Sequence, residues 1–137
     1  MIKMNSQSAM FQIPSQPQNI AKVEALVQGL ARQYNLSTDV YDNILLSLTE
    51  AVNNAIIHGN GCDCNKVVRI RTKKSKGTLA IQVSDQGCGF DINQIPDPTS
   101  PENIAKPGGR GVFIMHHLCD CLKFEDGGST VEMQFNI

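Results

Sequence analysis

The chain has no tryptophan, and aromatic residues make up only 5% of it. Proteins that hold single strands of nucleic acid by stacking bases need aromatic platforms, so that class is disfavoured at once. A basic excess is also missing. Twelve lysines and arginines face 13 acids, for a net charge of −1 and a pI near 6.3, whereas a nucleic-acid binder usually carries a clustered positive surplus. No apolar run approaches the roughly 20 residues of a membrane span. The opening MIKMNSQSAMFQIP lacks the apolar block of a secretory signal. Five cysteines is an odd number, and without a secretion signal it reads as reduced thiols in the cytoplasm. A soluble cytoplasmic domain remains, with no direct nucleic-acid or membrane partner expected.

What the chain does have is core material: 41% hydrophobic residues in 137 positions. That suits one domain, residues 1–137, with a single core. Residues 9–14 have weak strand character. Residues 19–34 place Ile20, Val23, Val27 and Leu30 at helical spacing, with Asn19 as the expected N-cap. Ser37 or Thr38 caps a second helix, with Asp39 and Asp42 in its first turn, Ile44, Leu45, Leu48, Val52 and Ala55 as its buried stripe, and an end near Gly59. Strands follow at 66–73 and 78–84, with a turn at 74–77. Residues 85–109 are rich in Gly, Pro, Asp and Asn, a loop of ~25 residues whose length suggests a functional lid over 90–108. A third helix at 111–120 and a hairpin at 121–124 and 130–137 complete the chain. The expected fold is α+β: a two-layer sandwich, a mixed β-sheet covered on one face by three helices.

Three stretches carry candidate chemistry. In LTEAVNNAIIHGN (48–60), positions four apart lie ~40° from one another on a helix. Asn43, Ser47, Glu50, Asn54 and His58 therefore form one polar stripe without a lysine or arginine. A plain outer face would normally carry lysine–glutamate pairs. Glutamate and asparagine one turn apart can instead supply oxygen donors to Mg²⁺. In VSDQGCGF, Asp85 sits at a strand end with Gly87 and Gly89 close behind, where glycine permits close backbone approach to a ligand. In PGGRGVFIM, Gly109, Arg110 and Gly111 lead into a helix whose free N–H groups suit a phosphate. Each motif alone also fits an ordinary polar face, turn or loop-to-helix joint.

E-x-x-x-N on a helix, D-x-G-x-G after a strand and G-x-G opening a helix, in that order, resemble the GHKL ATPase superfamily. That group includes histidine kinases, gyrase, MutL and the large heat-shock chaperones. TEAVNNAIIHG, VSDQGCGF and GGRGVFIM are similar in wording to the anti-sigma-factor serine kinases, and the resemblance runs over residues 23–135. It implies ATP and Mg²⁺ as cofactors, with Asn54 on the metal and Glu50 as the general base for the attacking hydroxyl. It also implies that Asp85 accepts from the adenine amine, that Gly87 and Gly89 line the base, and that Gly109 and Gly111 cradle the phosphates. Thr130, in GGSTVEMQF, matches a threonine near adenine. Such kinases often carry an arginine just before the phosphate-loop glycines; here Lys106 and Pro107 stand there and Arg110 lies within the loop.

The implied function is an ATP-dependent serine kinase and switch. Its implied partners are an antagonist protein carrying a phosphorylatable serine and a sigma factor or similar target. Self-pairing through the edge strand at 9–14 gives a possible homodimer. An ATP-dependent interaction module with little kinase activity is the alternative. A detached histidine-kinase domain fits less well, because the chain is short for a dimerisation helix pair. Cys62, Cys64, Cys119 and Cys121 with His58, His116 and His117 raise a zinc site, but C-x-C is not the usual C-x₂-C spacing. They read better as thiols and packing or surface residues.

Overall fold

The computed structural model describes residues 8–87 and 109–137. Strand β1 (Ser8–Pro14) is followed by a 3-10 turn, Pro17–Ile20, and helices α1 (Ala21–Tyr34) and α2 (Thr38–Asn54). A π-helical turn, Ala55–Gly59, extends α2 before strands β2 (Val67–Ser75) and β3 (Thr78–Ser84). Helix α3 (Gly109–Leu118), β4 (Cys121–Glu125) and β5 (Thr130–Asn136) follow. The lid expected over 90–108 lies outside the described residues, as does Gly89.

Local chemistry explains most boundaries. Ser37 caps α2, its Oγ accepting from Val40 N at 3.2 Å, and Asp39 stands in the first turn beside the positive dipole end. Asn35 closes α1 in the left-handed conformation. Asn19 is not the expected N-cap. It lies inside the 3-10 turn and its amide donates to Pro14 O at 2.9 Å, because Pro17 starts that turn two residues earlier. The first hairpin turns on Lys76 and Gly77, both at positive φ, as a two-residue turn matched to strand twist requires. β2 thereby reaches Ser75, two residues past its expected end.

The sheet order is β1-β2-β3-β5-β4, and every pairing is antiparallel. The α+β sandwich stands, but among the described residues the sheet is antiparallel throughout rather than mixed. Two helices between β1 and β2 bring the chain back to the end it left, so β2 runs opposite to β1. One described helix lies between β3 and β4, which run the same way, but β5 inserts between them and pairs with both antiparallel. Alternation then separates the faces. Val68, Ile70, Leu79, Ile81, Val83, Val131, Met133 and Phe135 point to the helices and join Val23, Val27, Leu30, Ile44, Leu48, Val52, Val112 and Met115 in one core. α2 packs against both α1 and α3, which fixes its last turns beside the start of α3.

Candidate functional site

The C-terminal end of α2 is the spine of the site. Glu50 and Asn54 are half-buried on its last turns, and among the described residues neither side chain makes a hydrogen bond. Helix α3 begins against Asn54: a Cβ on Gly111 would lie 2.7 Å from Asn54 Nδ2. Gly111 is therefore glycine for a steric reason, and its absent side chain leaves the asparagine amide at the mouth of the α3 N-terminus. Arg110, in the same turn, is exposed.

The stripe expected along α2 is narrower than its spacing suggested. Ser47 is fully buried and its Oγ has no partner among the described residues. On the helical projection it falls between Asn43 and buried Ala51, on the side where the helix packs inward. His58 is exposed on the π-helical turn. That turn carries one residue more than an α turn, and it ends with Asn60 N donating to Ala55 O at 2.8 Å.

The turn delivers Gly59 to Asp85. A Cβ on Gly59 would overlap the Asp85 carboxylate, and one on Gly87 would overlap the Gly59 carbonyl oxygen. The two loops thus interlock with no space for side chains between them. Asp85 follows the last residue of β3; its N–H donates to Ser129 O at 2.9 Å, and its Oδ1 accepts from Gly87 N at 2.8 Å. Partial burial raises the Asp85 pKa above the ordinary carboxylate value, while the Gly87 N–H and the Lys66 charge pull the other way. Among the described residues Oδ2 accepts no hydrogen bond, which leaves an acceptor for a donor-bearing ligand edge. Thr130 is paired with Ser84 in register. Its Oγ1 lies 2.9 Å from Ser84 Oγ and donates to Asp126 Oδ2 at 2.9 Å. By the pleat it points away from the helices, so it braces the strand end that carries Asp85.

Asn54 with Gly111, and Gly59 with Asp85 and Gly87, sit at the two ends of one short π turn. The structure thereby brings together two of the three motifs found in the sequence and the helix start of the third. Gly89 lies outside the described residues. Sequence reading passed over Gly59 and Asn60 as a mere helix stop; the only signal was their place directly after the polar stripe. Among the described residues no group of three His, Cys, Asp or Glu could hold a metal ion. Cys62 and Cys64 are exposed, while Cys119 and Cys121 are half-buried. The Cys119 thiol is pushed up to about 11, chiefly by burial, and donates to Met115 O at 2.8 Å; it is a packed thiol.

Helices on one face of an antiparallel sheet, with an amide-bearing helix end, a strand-end aspartate and a glycine-opened helix around one turn, define a nucleotide-binding α+β domain. Residues 13–135 match the family described as histidine kinase-like ATPase domain, and the chain belongs to that family. It is 30% identical over 127 residues to the serine-protein kinase RsbW of Bacillus licheniformis, covering 88% of this chain and 79% of that one. The serine-protein kinase RsbW of Bacillus subtilis (strain 168) is 27% identical over 139 residues, covering 96% and 87%. Within the family the chain is therefore of the serine-protein kinase type. The crystal structure of the RsbU and RsbW domains of Rv1364c from Mycobacterium tuberculosis superposes with a TM-score of 0.65 at 12% identity. That match covers 94% of this chain and 31% of that one, and it bears on the fold.

Proposed function

We propose that the protein, as one ATP-binding domain, phosphorylates a serine on an antagonist protein and sequesters a sigma factor or similar regulatory target in the cytoplasm. The observation that carries this reading is the packing of Gly111 against Asn54 one turn beyond Glu50. That packing brings a carboxylate, an amide and a helix start together, which supports reading them as the groups that activate the hydroxyl, hold the metal and cradle the phosphates. Phosphoryl transfer needs little more than positioning, charge neutralisation and a group to take the hydroxyl proton.

In this reading Asn54 Oδ1 would supply a ligand to Mg²⁺, an ion that takes hard oxygen donors. Bound there, the ion supplies neutralisation of phosphate charge. Glu50 accepts the proton of the incoming serine hydroxyl. Gly109 and Gly111 present backbone N–H groups at the N-terminus of α3, where the helix dipole favours anions, and exposed Arg110 adds a cation to the same turn. Asp85 accepts from the adenine amine, with Gly87 and Gly89 beside the base and Thr130 bracing the strand end. The exposed edge strand β1, with Met10 and Phe11 open to solvent, is a surface for homodimer pairing.

A serine-to-alanine scan of a co-purified antagonist, incubated with the protein and Mg·ATP, tests the reading. One serine should lose all label, and transfer should stop in Glu50→Ala. Label that persists undiminished in Glu50→Ala would move the base elsewhere, and a wild type that transfers no label would return the chain to an ATP-gated interaction module.

A further inference from the structure

Resting on the adenine role proposed for Asp85, we infer that Asn60 is a positioning residue that sets adenine selectivity by clamping the Asp85–Gly87 turn from behind. Asn60 is 3% exposed. Its Nδ2 donates to Ser15 Oγ at 2.6 Å and to Val67 O at 3.0 Å, and its Oδ1 accepts from Gln86 N at 2.7 Å. Its own N–H closes the π turn on Ala55 O, and its carbonyl accepts from Asp63 N at 3.1 Å. Gln86 returns the tie, its Oε1 accepting from Val67 N at 2.8 Å.

One buried amide thus links four separated parts of the chain: the residue after β1, the end of α2, the start of β2 and the turn after β3. Only an amide supplies two donors and an acceptor at this spot. Aspartate would place a carboxylate oxygen against the Val67 carbonyl, and an apolar residue would leave the part-buried Gln86 N–H and Val67 carbonyl without this partner, which costs stability in proportion to their shielding from water. The consequence reaches the ligand because Gln86 lies between Asp85, whose carboxylate packs against Gly59, and Gly87, whose backbone packs against the Gly59 carbonyl. Releasing Gln86 N frees the carboxylate of Asp85 to turn away from the adenine amine. Asn60 touches no part of the nucleotide in this scheme; it acts through Asp85.

Calorimetry with Mg·ATP and Mg·ITP reads this directly, since inosine has a carbonyl where adenine has its amine. Wild type should prefer ATP by about tenfold or more, the worth of a hydrogen bond to a charged group. Asn60→Asp should bring that ratio close to one, and it should add nothing in an Asp85→Asn background. Ser15→Ala, which removes one partner of Asn60 and lies outside the ligand site, should reduce the ratio by about two- to tenfold, the range for one neutral hydrogen bond. A merely structural role would lower the melting temperature and leave the ratio in place. If wild type discriminates and folded Asn60→Asp keeps the wild-type ratio, the inference is overturned. Should Asn60→Asp not fold, an unchanged ratio in Ser15→Ala overturns it instead. A wild type that binds both nucleotides equally overturns the adenine role of Asp85 and this inference with it.

Discussion

Asp85 and Glu50 are both half-buried carboxylates, yet they are set for different work. Asp85 is held by Gly87 N and crowded by Gly59, and burial raises its pKa. A carboxyl whose folded pKa lies above its unfolded value stabilises the fold most below the unfolded pKa, and that contribution is lost as pH rises through the folded one. Asp85→Asn should therefore leave the ligand-free protein more stable than wild type at neutral pH, with the gain shrinking as pH falls through the raised folded pKa and gone below about 4. Thermal melts across pH read this. The same substitution should weaken ATP binding about tenfold or more, because a hydrogen bond to a charged acceptor is worth ~1.5–3 kcal/mol. A variant equal to wild type in calorimetry would remove Asp85 from the adenine site. Glu50→Ala should bind ATP as before and lose transfer by roughly 10²–10⁴-fold, the usual contribution of a positioned base.

Where elements meet, glycine decides the geometry. Gly111→Ala would push its new methyl against the Asn54 amide, a side chain that can turn aside, whereas Gly87→Ala would meet the Gly59 carbonyl, a backbone group that cannot. Overpacking of this kind costs ~1–3 kcal/mol. Gly87→Ala should fall at the upper end and lower the melting temperature markedly. Gly111→Ala should remain folded and lose mainly the Mg²⁺-dependent part of ATP affinity, seen as a smaller difference between titrations with Mg²⁺ and with chelator. Equal loss in both titrations would separate Gly111 from the metal. At the other end of α2, Ser37→Ala removes the acceptor for Val40 N and should cost about 1 kcal/mol in urea unfolding, with ATP affinity unchanged.

For the whole molecule, the open question is what covers the sheet edge. Among the described residues β1 pairs only with β2, and on it Met10 is 52% and Phe11 38% exposed. Symmetric pairing of two such edges would bury that apolar area and continue the ladder. Deleting residues 1–14 should reduce self-association more than nucleotide affinity, because Ser15 and its bond to Asn60 remain. Sedimentation of the full chain as a monomer at tens of micromolar, with and without ATP, would discard the dimer and leave the kinase assignment untouched.

Sequence alone determined whatever depends on near neighbours along the chain. Helical spacing placed α1 and α2, Ser37 announced its cap, and alternation placed β3 to the residue. The E-x-x-x-N, D-x-G-x-G and G-x-G pattern pointed to the family because each motif is contiguous and its chemistry is local. The tertiary structure decided what depends on distant segments meeting. Ser47 looks polar on a helical projection but is buried where α2 packs inward. The antiparallel sheet follows from β5 inserting between β3 and β4, an event no window of sequence contains. Asn60 reads as an ordinary residue after a helix-ending glycine, since its partners Ser15, Val67 and Gln86 stand 45, 7 and 26 positions away. Spacing rules describe one element at a time; a buried hydrogen bond between elements exists only once packing has excluded water and chosen its partners.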